Sequence, residues 1–252
     1  MAARLFGTGS ERLFADSEHS ILDAAHEILA NTPVEREPKT VPAASTDRSN
    51  LRDLMLAYAK HVGLHIAVKV DPDLIANAAV GERTVFIADR LFGAHEAQRL
   101  ATHEVYGHLV SAFNGRTQPF GIFAIGTAHS YGDQEGVAIY LEELAGLLDP
   151  FRRRTLAGRL LATHAMHAGV SFSDAAQSLV REHQFSPACA VTLCERSFRA
   201  GGVSRDAVYL TGWLRIRRAV SRGETNLSEL QLGKISLRTL PEVRRLLRAA
   251  SR

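Results

Sequence analysis

The hexapeptide HEVYGH, residues 103 to 108, contains the residue types of a metal-dependent hydrolytic site. Two imidazoles and a carboxylate on one helix can bind a transition metal and accept a proton from water. In the familiar HExxH pattern the histidines are four residues apart, so both lie on one face of the helix. His103 and His108 are five apart, which separates them by about 140° around an α-helix. The spacing therefore does not fit an undistorted metal helix.

A single π-turn would return both histidines to one face, because its hydrogen bonds join residues five apart. Such turns are frequent at functional sites. Gly107 directly precedes the second histidine and weakens the helix where the distortion is needed. The alternative is an ordinary helix in which Glu104 and His108, four residues apart, form an ion pair. The hexapeptide alone leaves both interpretations open.

A third metal ligand is available downstream of the hexapeptide. The predicted helix at 134–148 opens with Gln134, Glu135 and Gly136, which places a carboxylate in its first turn. Two histidines and a glutamate from a following helix form a common zinc site that keeps one position open for water. Glu135 is the predicted third ligand. Glu142, two turns further along, suits a role in orienting a ligand imidazole.

The elements that must position these residues are mostly helical. Apolar periodicity predicts helices over 17–30, 51–62, 94–113, 134–148 and most of the chain beyond 150. The expected caps are Ser17, Asp149 followed by Pro150, Ser173 and Ser186. LHIAVKV (64–70) and RTVFIA (83–88) are the predicted strands, and we expect them to pair. An edge strand beside a metal helix typically holds extended substrate in zinc peptidases, and RTVFIA is the predicted strand at that place.

Composition indicates a globular chain without a membrane segment. The 252 residues are 46% hydrophobic and 23% charged, and no run of 18 apolar residues occurs. MAARLFGTGSERLF has no apolar core followed by a small-residue cleavage site, so we expect no secretory signal and a cytoplasmic location. Cys189 and Cys194, five apart on a predicted helix, are interpreted as buried reduced thiols.

Charge is distributed unevenly along the chain. Residues 1–149 contain 12 Lys and Arg against 20 Asp and Glu, whereas residues 150–252 contain 18 against 7. A basic C-terminal half favours an anionic partner such as a carboxylate-bearing peptide, an acidic protein tail or nucleic acid. Solvated arginines on helix surfaces explain the same balance. No recognisable nucleic-acid module occurs, so neither nucleic acid nor a membrane is an expected partner.

From HEVYGH onward the chain resembles the microtubule-associated tyrosine carboxypeptidase family, whose bacterial members are often called QEGLA-motif proteins. That family has H-E-x-x-x-H, then N-G-x-x-Q-P, then Q-E-G-[LV]-A and a further Glu seven residues after the motif's own Glu. The matching segments here are His103 to His108, Asn114 to Pro119, Gln134 to Ala138 with Glu142, FRAGGVSRDAVYLTG (198–212) and LGKISLRTLPEV (232–243). The resemblance thus extends from about residue 80 to 245.

The resemblance implies that the five-residue spacing is functional. Carried over, it makes His103, His108 and Glu135 zinc ligands and Glu104 the catalytic base. Two departures occur, since Tyr106-Gly107 stands where the family commonly has Gly-Thr and Arg205 stands where Lys is usual. The fold implied is a zincin-like metallopeptidase domain, mainly helical α+β, with a small β-sheet before the metal helix.

Peptide hydrolysis at a chain terminus would need further residues. A hydrogen-bond donor for the oxyanion is predicted at Tyr209, with Tyr131 as second choice. The terminal carboxylate calls for a bidentate donor, and the candidates are Arg196, Arg199 and Arg205, of which Arg199 matches the arginine of the family's F-R-G-G. Asn114 and Gln118 could hydrogen-bond the substrate backbone. Each of these residues could equally serve the core, the loop or the surface.

The sequence therefore predicts a zinc-dependent metallocarboxypeptidase with a peptide or protein C-terminus, such as an acidic tail, as substrate. A C-terminal tyrosine or other aromatic residue is the expected leaving residue. Two alternatives stay open, namely a zinc endopeptidase or amidohydrolase of other specificity, and a non-catalytic regulatory protein that binds through its basic half. Residues 1–48 are interpreted as an N-terminal helix and linker, and residues 49–252 as the catalytic domain in one compact unit.

Overall fold

The computed structural model describes residues 18–34, 50–74, 76–199 and 204–250 of the chain. Helices account for 67% of the described residues and a three-stranded sheet for most of the remaining regular structure, which confirms a mainly helical fold with a small sheet. No helix among the described residues is long and apolar enough to cross a membrane.

The described residues form two compact units. One, called here the helical unit, consists of 18–34, 149–199 and 204–214. The other, the sheet unit, consists of 50–74, 76–148 and 215–250. The predicted boundary between residues 48 and 49 stays a prediction, because residues 35–49 lie outside the described part of the chain.

The helical unit is built from helices that pack through small and apolar residues. Their bounds are α1 (Glu18–Asn31), α7 (Pro150–His167), α8 (Phe172–Arg181), α9 (Pro187–Phe198), a 3-10 turn (Ser204–Ala207) and the start of α10 (Val208–Ser221). Arg154 on α7 is buried, and its guanidinium donates to the carbonyls of Leu29 at 2.7 Å, Thr32 at 3.1 Å and His183. One cation therefore ties the end of α1 and the segment after α8 to α7.

The helix caps observed in the helical unit agree with the predicted ones, with one exception. Asp149 accepts from the Arg152 N–H at 2.6 Å and Pro150 opens α7, and Ser186 caps α9, as predicted. The predicted cap at Ser173 is wrong. The helix begins at Phe172, and Ser171 accepts from the Asp174 N–H instead. Ser17, predicted to cap α1, lies outside the described residues.

The sheet unit contains the hexapeptide. Its helices are α2 (Leu51–His61), α3 (Ala94–Ala101), a π-helical segment (Thr102–Leu109), α4 (Val110–Thr117), α5 (Ile122–Ile125), α6 (Ser130–Leu144), α11 (Leu227–Leu230), a 3-10 turn (Leu237–Thr239) and α12 (Leu240–Ala250). A buried cluster that includes Met55, Val85, Ile87, Leu100 and Val105 joins α2, the sheet, α3 and the π-helical segment. Burial of these side chains places the sheet beside the helix that contains the hexapeptide.

The sheet differs from prediction in one strand. The predicted pair is confirmed as β1 (Ala67–Asp71) and β3 (Thr84–Ala88), which run parallel. A third strand, β2 (Ala78–Val80), pairs antiparallel with β3, so the order is β1-β3-β2. RTVFIA is therefore the central strand, and its predicted edge position is wrong. β2 was not predicted because two of its three residues are alanines, which have low strand propensity. The strand forms through its turn to β3, where Gly81 N–H donates to Thr84 O at 2.8 Å.

Candidate metal centre

The helix that carries the hexapeptide is continuous from Ala94 to Thr117 and changes its hydrogen-bond pattern in the middle. Thr102–Leu109 is π-helical, and the Val110 N–H donates to the Val105 carbonyl five residues earlier. The predicted π-turn is confirmed, and it is longer than a single turn. Because five residues now complete about one turn, His103 and His108 lie on one face, with ring centroids 5.0 Å apart at an interplanar angle of 80°.

Gly107 is needed for close packing between two helices, a role that the sequence did not predict. The π-helical segment packs tightly against α6, and a Cβ atom built on Gly107 would lie 2.5 Å from Ala138 Cβ and 2.9 Å from Ala138 Cα. No side chain fits in that gap without movement of the backbone. Gly107 thus allows the close approach that places the first turns of α6 beside the histidines.

Three side chains from these two helices converge. His103 Nε2 lies 3.3 Å and His108 Nε2 lies 3.6 Å from Glu135 Oε2. One ligand atom from each of the three residues lies within 4.8 Å of the other two. Among the His, Cys, Asp and Glu side chains in the described part of the chain, this group is the one that could hold a metal ion. His103 and Glu135 are buried, whereas His108 is partly exposed, so the cluster is open on one side.

The donor set fits a four-coordinate metal. Bonds of 2.0–2.1 Å in tetrahedral geometry place ligand atoms about 3.3 Å apart, close to the separations between Glu135 Oε2 and the two imidazole nitrogens. Three protein ligands leave one position for water or substrate. His103 Nδ1 donates to Glu142 Oε1 at 2.7 Å, which directs Nε2 toward Glu135. The residues present therefore suit a bound metal.

The charges of this cluster are strongly coupled. Burial by itself lowers the pKa of His103, but hydrogen bonds to Glu135 and Glu142 and the charges of Glu142 and Glu104 outweigh burial and raise the pKa to about 10. Burial disfavours the Glu135 carboxylate, yet the neighbouring His108 and hydrogen bonds from both histidines hold the pKa of Glu135 well below its usual value. Without metal, a proton on His103 supplies the positive charge that the carboxylates require, and metal binding would displace it.

Glu142 is fully buried and contacts a residue that sequence reasoning missed. Arg99 Nη1 lies 3.5 Å from Glu142 Oε1, the oxygen that also accepts from His103. Arg99 precedes His103 by four residues, so both project from one face of the helix. That spacing, combined with a predicted outer carboxylate, is the sequence signal that could have identified Arg99.

Glu104 is set apart from the three candidate metal ligands. Its side chain is 7% exposed and does not belong to the convergent group. Among the described residues its carboxylate has no hydrogen-bond or ion-pair partner, although its oxygens are not sealed from solvent. Glu104 is the chain neighbour of His103, and its charge acts on that imidazole, so it is a candidate proton acceptor.

The start of α6 is fixed by Arg215 and by the segment 233–237. Asp133, buried, accepts from the Arg215 guanidinium at 2.8 Å and from the Leu237 N–H at 2.8 Å. The Gln134 amide lies 3.4 Å from both the Gly233 and the Ile235 carbonyl oxygens. Asp133 and Gln134 thus hold the turn that presents Glu135. Sequence reasoning overlooked Asp133, for which the adjacent QEG motif was the available signal.

The predicted substrate residues of the sheet unit, Asn114 and Gln118, take different positions. The Asn114 amide donates to the Gln231 carbonyl at 2.8 Å and so holds the C-terminal part of its own unit. Gln118 ends α4 in an extended conformation and is partly exposed. Tyr131 lies one turn before Glu135 on α6 and is partly buried.

The predicted arginines and Tyr209 belong to the helical unit. Arg196 forms a bidentate pair with Asp206, with both separations 3.0 Å. Arg199 ends α9 and is exposed, and the Arg205 side chain lies outside the described residues. The Tyr209 ring centroid lies 5.3 Å from the Arg159 guanidinium carbon. The fork of Arg196 is therefore occupied, whereas Arg199 is accessible.

The cysteines match their predicted role. Cys189 and Cys194 are free and buried on α9, and burial raises the pKa of the Cys194 thiol to about 11. A thiol with so high a pKa is a weak nucleophile and metal ligand at neutral pH. Neither cysteine contributes to a candidate metal site among the described residues.

Comparison with known proteins gives a family and a fold. The sequence matches the family described as microtubule-associated tyrosine carboxypeptidase over residues 1–250. No curated protein matches the chain. A crystal structure of a "putative lipoprotein" from Colwellia psychrerythraea is 18% identical with a TM-score of 0.60, and the match covers 96% of this chain and 52% of that one. The chain thus spans about half the length of that structure, and the likeness shows a shared fold. The family match covers nearly every residue, and the chain therefore belongs to the microtubule-associated tyrosine carboxypeptidase family.

Proposed function

We propose that this protein is a zinc-dependent carboxypeptidase that hydrolyses the last peptide bond of a peptide or protein and releases a C-terminal tyrosine or another aromatic residue. The observation that carries the proposal is the convergence of His103, His108 and Glu135 within 4.8 Å, a group that leaves out Glu104, the chain neighbour of His103. Two imidazoles, one carboxylate and a separate carboxylate base form the donor set of a zinc peptidase. Family membership supports the carboxypeptidase reaction. A zincin-like domain is the fold class that this arrangement favours.

His103, His108 and Glu135 would hold the metal, and Glu142 would hold His103 in the tautomer that presents Nε2. Zinc bound there would polarise the scissile carbonyl and lower the pKa of a water molecule. The π-helical segment keeps both imidazoles on one face, so the ligand set does not have to be assembled when substrate binds.

Glu104 is the proposed base. Its carboxylate accepts a proton from the attacking water while the water oxygen bonds to the carbonyl carbon. The same proton is then delivered to the amine nitrogen as the C–N bond breaks, which leaves a new carboxylate and a free amino acid. The lack of a hydrogen-bond partner among the described residues leaves the Glu104 carboxylate available for both transfers.

Substrate orientation follows from the corrected sheet order. β2 is an edge strand and packs against the π-helical segment, so an extended peptide paired with β2 would lie beside the metal ligands. Arg199 is the proposed carboxylate ligand because Arg196 already uses its bidentate face on Asp206. Tyr209, or Tyr131 in the same helix as Glu135, is the proposed oxyanion donor.

The decisive experiment measures zinc content and hydrolysis together. Protein purified without an immobilised-metal column should contain about one zinc per chain, lost in Glu135→Ala and retained in Glu104→Gln. The native chain should cleave the last bond of peptides that end in Tyr or Phe faster than the last bond of matched peptides that end in Glu or Ala. The matched peptide with an amidated C-terminus should be resistant, because the terminal carboxylate is part of the recognition.

Other results would select an alternative. Cleavage of internal bonds with indifference to amidation would identify an endopeptidase. An absence of zinc after zinc is supplied would remove the enzymatic proposal and favour a non-catalytic binding protein. Localisation in the cytoplasm stays a prediction, and fractionation of cells that express the full chain tests it.

A further inference from the structure

The π-helical segment must return to α-helical geometry after Leu109, and this return has a consequence for one carbonyl group. The Val110 N–H donates to Val105 O, five residues back, whereas α4 resumes four-residue spacing. A change from five-residue to four-residue spacing skips one carbonyl in the hydrogen-bond ladder. Tyr106 supplies the carbonyl that follows Val105. A partly buried carbonyl without a donor would disfavour the π-helical form.

A side chain from a distant part of the sequence meets this carbonyl. Gln231 Nε2 donates to Tyr106 O at 2.6 Å. The Gln231 backbone is itself fixed, because its N–H donates to Leu227 O at 2.9 Å and its carbonyl accepts from Asn114 Nδ2 at 2.8 Å. The preceding residue, Leu230, is fully buried against Val137 and Ile216.

Tyr106 is held from its ring as well. It stacks on Tyr58 with centroids 5.1 Å apart and planes inclined by 18°. The residue midway between the two histidines is therefore fixed at its side chain by α2 and at its carbonyl by Gln231. Because Gly107 and His108 follow directly, a shift of this peptide would rotate His108 away from His103.

We propose that Gln231 is a positioning residue for the metal centre, which stabilises the π-helical register by supplying the hydrogen bond that the Tyr106 carbonyl lacks within the helix. The inference rests on the proposed function, since it assigns Gln231 a role in metal binding. Gln231 touches neither metal nor substrate and acts only through the helix that carries both histidines.

The test compares three variants of the full chain. Gln231→Met keeps the length of the side chain and removes its donor. Gln231→Lys restores an N–H donor of similar reach. Arg244→Met removes a bidentate ion pair with Glu229 in the same C-terminal region without touching the π-helical segment. Zinc dissociation constants come from competition with a chromophoric chelator, and thermal unfolding is recorded for each variant.

We expect Gln231→Met to weaken zinc binding by about tenfold, at the low end of the losses seen for direct partners of metal ligands, because Gln231 acts through the helix and not on a ligand itself. Gln231→Lys should recover most of that loss, and Arg244→Met should lower Tm with zinc affinity unchanged. Equal zinc affinity in Gln231→Met and the native chain would overturn the inference. If Gln231→Met does not fold, Gln231→Asn, whose amide is too short to reach Tyr106, takes its place.

A second readout separates this inference from the proposed function. In metal-free protein, the proximity of the two imidazoles can be followed by proton nuclear Overhauser contacts between the His103 and His108 rings, whose centroids are 5.0 Å apart. Gln231→Met should weaken these contacts, and unchanged contacts would contradict the role of Gln231. A native chain that binds no zinc would instead refute the metal proposal, while this comparison would still test the positioning of the helix.

Discussion

Buried charge is handled in opposite ways in the two units. In the helical unit, Arg154 is 4% exposed, and its hydrogen-bond partners among the described residues are the backbone carbonyls of Leu29, Thr32 and His183. In the sheet unit, His103, Glu135 and Glu142 are buried against one another, and His108 beside them is partly exposed. The first arrangement uses a cation to join chain segments. The second concentrates ionisable groups with one side open.

This difference distinguishes a buried charge that stabilises the fold from buried charges that can take part in chemistry. A guanidinium surrounded by carbonyls has its hydrogen bonds satisfied, so it does not need a ligand or substrate as a further partner. Imidazoles that share a single carboxylate oxygen need a cation between them, whether that cation is a proton or a metal. Burial alone therefore does not identify a functional site, whereas several like ligands directed at one point do.

The largest expected effect comes from Glu104. Glu104→Gln keeps the size of the side chain and removes its basicity, so kcat/KM on a peptide with a free C-terminal tyrosine should fall by about a thousandfold. Zinc content should stay at the native value, because Glu104 is outside the ligand group. Steady-state kinetics with metal analysis on the same sample checks both. Activity within tenfold of native would assign the base to another residue.

Metal removal should affect the sheet unit next most strongly. Zinc at a hundred times its dissociation constant stabilises the folded state by about 2.7 kcal/mol, so a chelator should lower Tm of the native chain by several degrees. Glu135→Ala should show no response to the same chelator. Calorimetry of both proteins with and without chelator makes the comparison, and a chelator response in Glu135→Ala would point to another ligand set.

Arg154→Met should destabilise the helical unit, because it removes the buried cation that joins three chain segments. Loss of the guanidinium leaves three carbonyls without donors, and we expect the free energy of unfolding to fall by about 3 kcal/mol. Chemical denaturation measures this change. Zinc stoichiometry should remain at one, because Arg154 belongs to the helical unit. The matched control is Arg153→Met on the same helix, where the side chain is exposed and a small effect is expected.

Glu142→Gln tests whether the charge of Glu142 strengthens zinc binding, and its expected effect is smaller. The amide still accepts from His103 Nδ1 but lacks the charge that makes the imidazole a stronger ligand, so zinc affinity should fall by about tenfold. Competition titration gives the value. Arg99→Met, which removes the guanidinium beside Glu142, should change affinity in the same direction and by less. Unchanged affinity in Glu142→Gln would limit this residue to a packing role.

The smallest expected effect is the pH dependence of the metal-free protein. The folded pKa of His103 is raised to about 10, so its contribution to stability is present below its unfolded value near 6.5 and is lost as pH rises toward 10. The folded pKa of Glu135 is lowered, so its contribution is present above the usual carboxyl range and is lost in acid. Tm of metal-free native protein should decline by a few degrees from pH 6 to pH 10, and by less in His103→Gln.

The convergence of the candidate ligands could largely be predicted from the sequence, because its constraints are local. His103, Glu104 and His108 belong to one helix, and a five-residue spacing has few helical solutions that share a face. Glu135 and Glu142 are two turns apart on a second helix, so a direction set for one also sets the other. The arginine predictions had no such constraint. Arg196 turned out to be paired with Asp206, and nothing in their spacing separated it from the exposed Arg199.

The fold shows the same division. Helix existence and the pairing of the two strong strands follow from apolar periodicity and β-branched residues. The third strand and the cap at Ser171 did not, since alanines and neighbouring serines give no distinct local signal. The error at β2 matters most, because it moved the edge of the sheet from RTVFIA to Ala78–Val80.

The sequence by itself determined the types and order of the candidate ligands and the need for a π-turn to bring the two histidines together, because helical geometry links residue spacing directly to the face on which a side chain lies. Only the tertiary structure decided that Gly107 makes room for Ala138, that Arg99 meets Glu142 and that Gln231 reaches the Tyr106 carbonyl. These contacts join residues 31, 43 and 125 positions apart. No local pattern encodes such pairs, since they form only when packed elements bring complementary surfaces together.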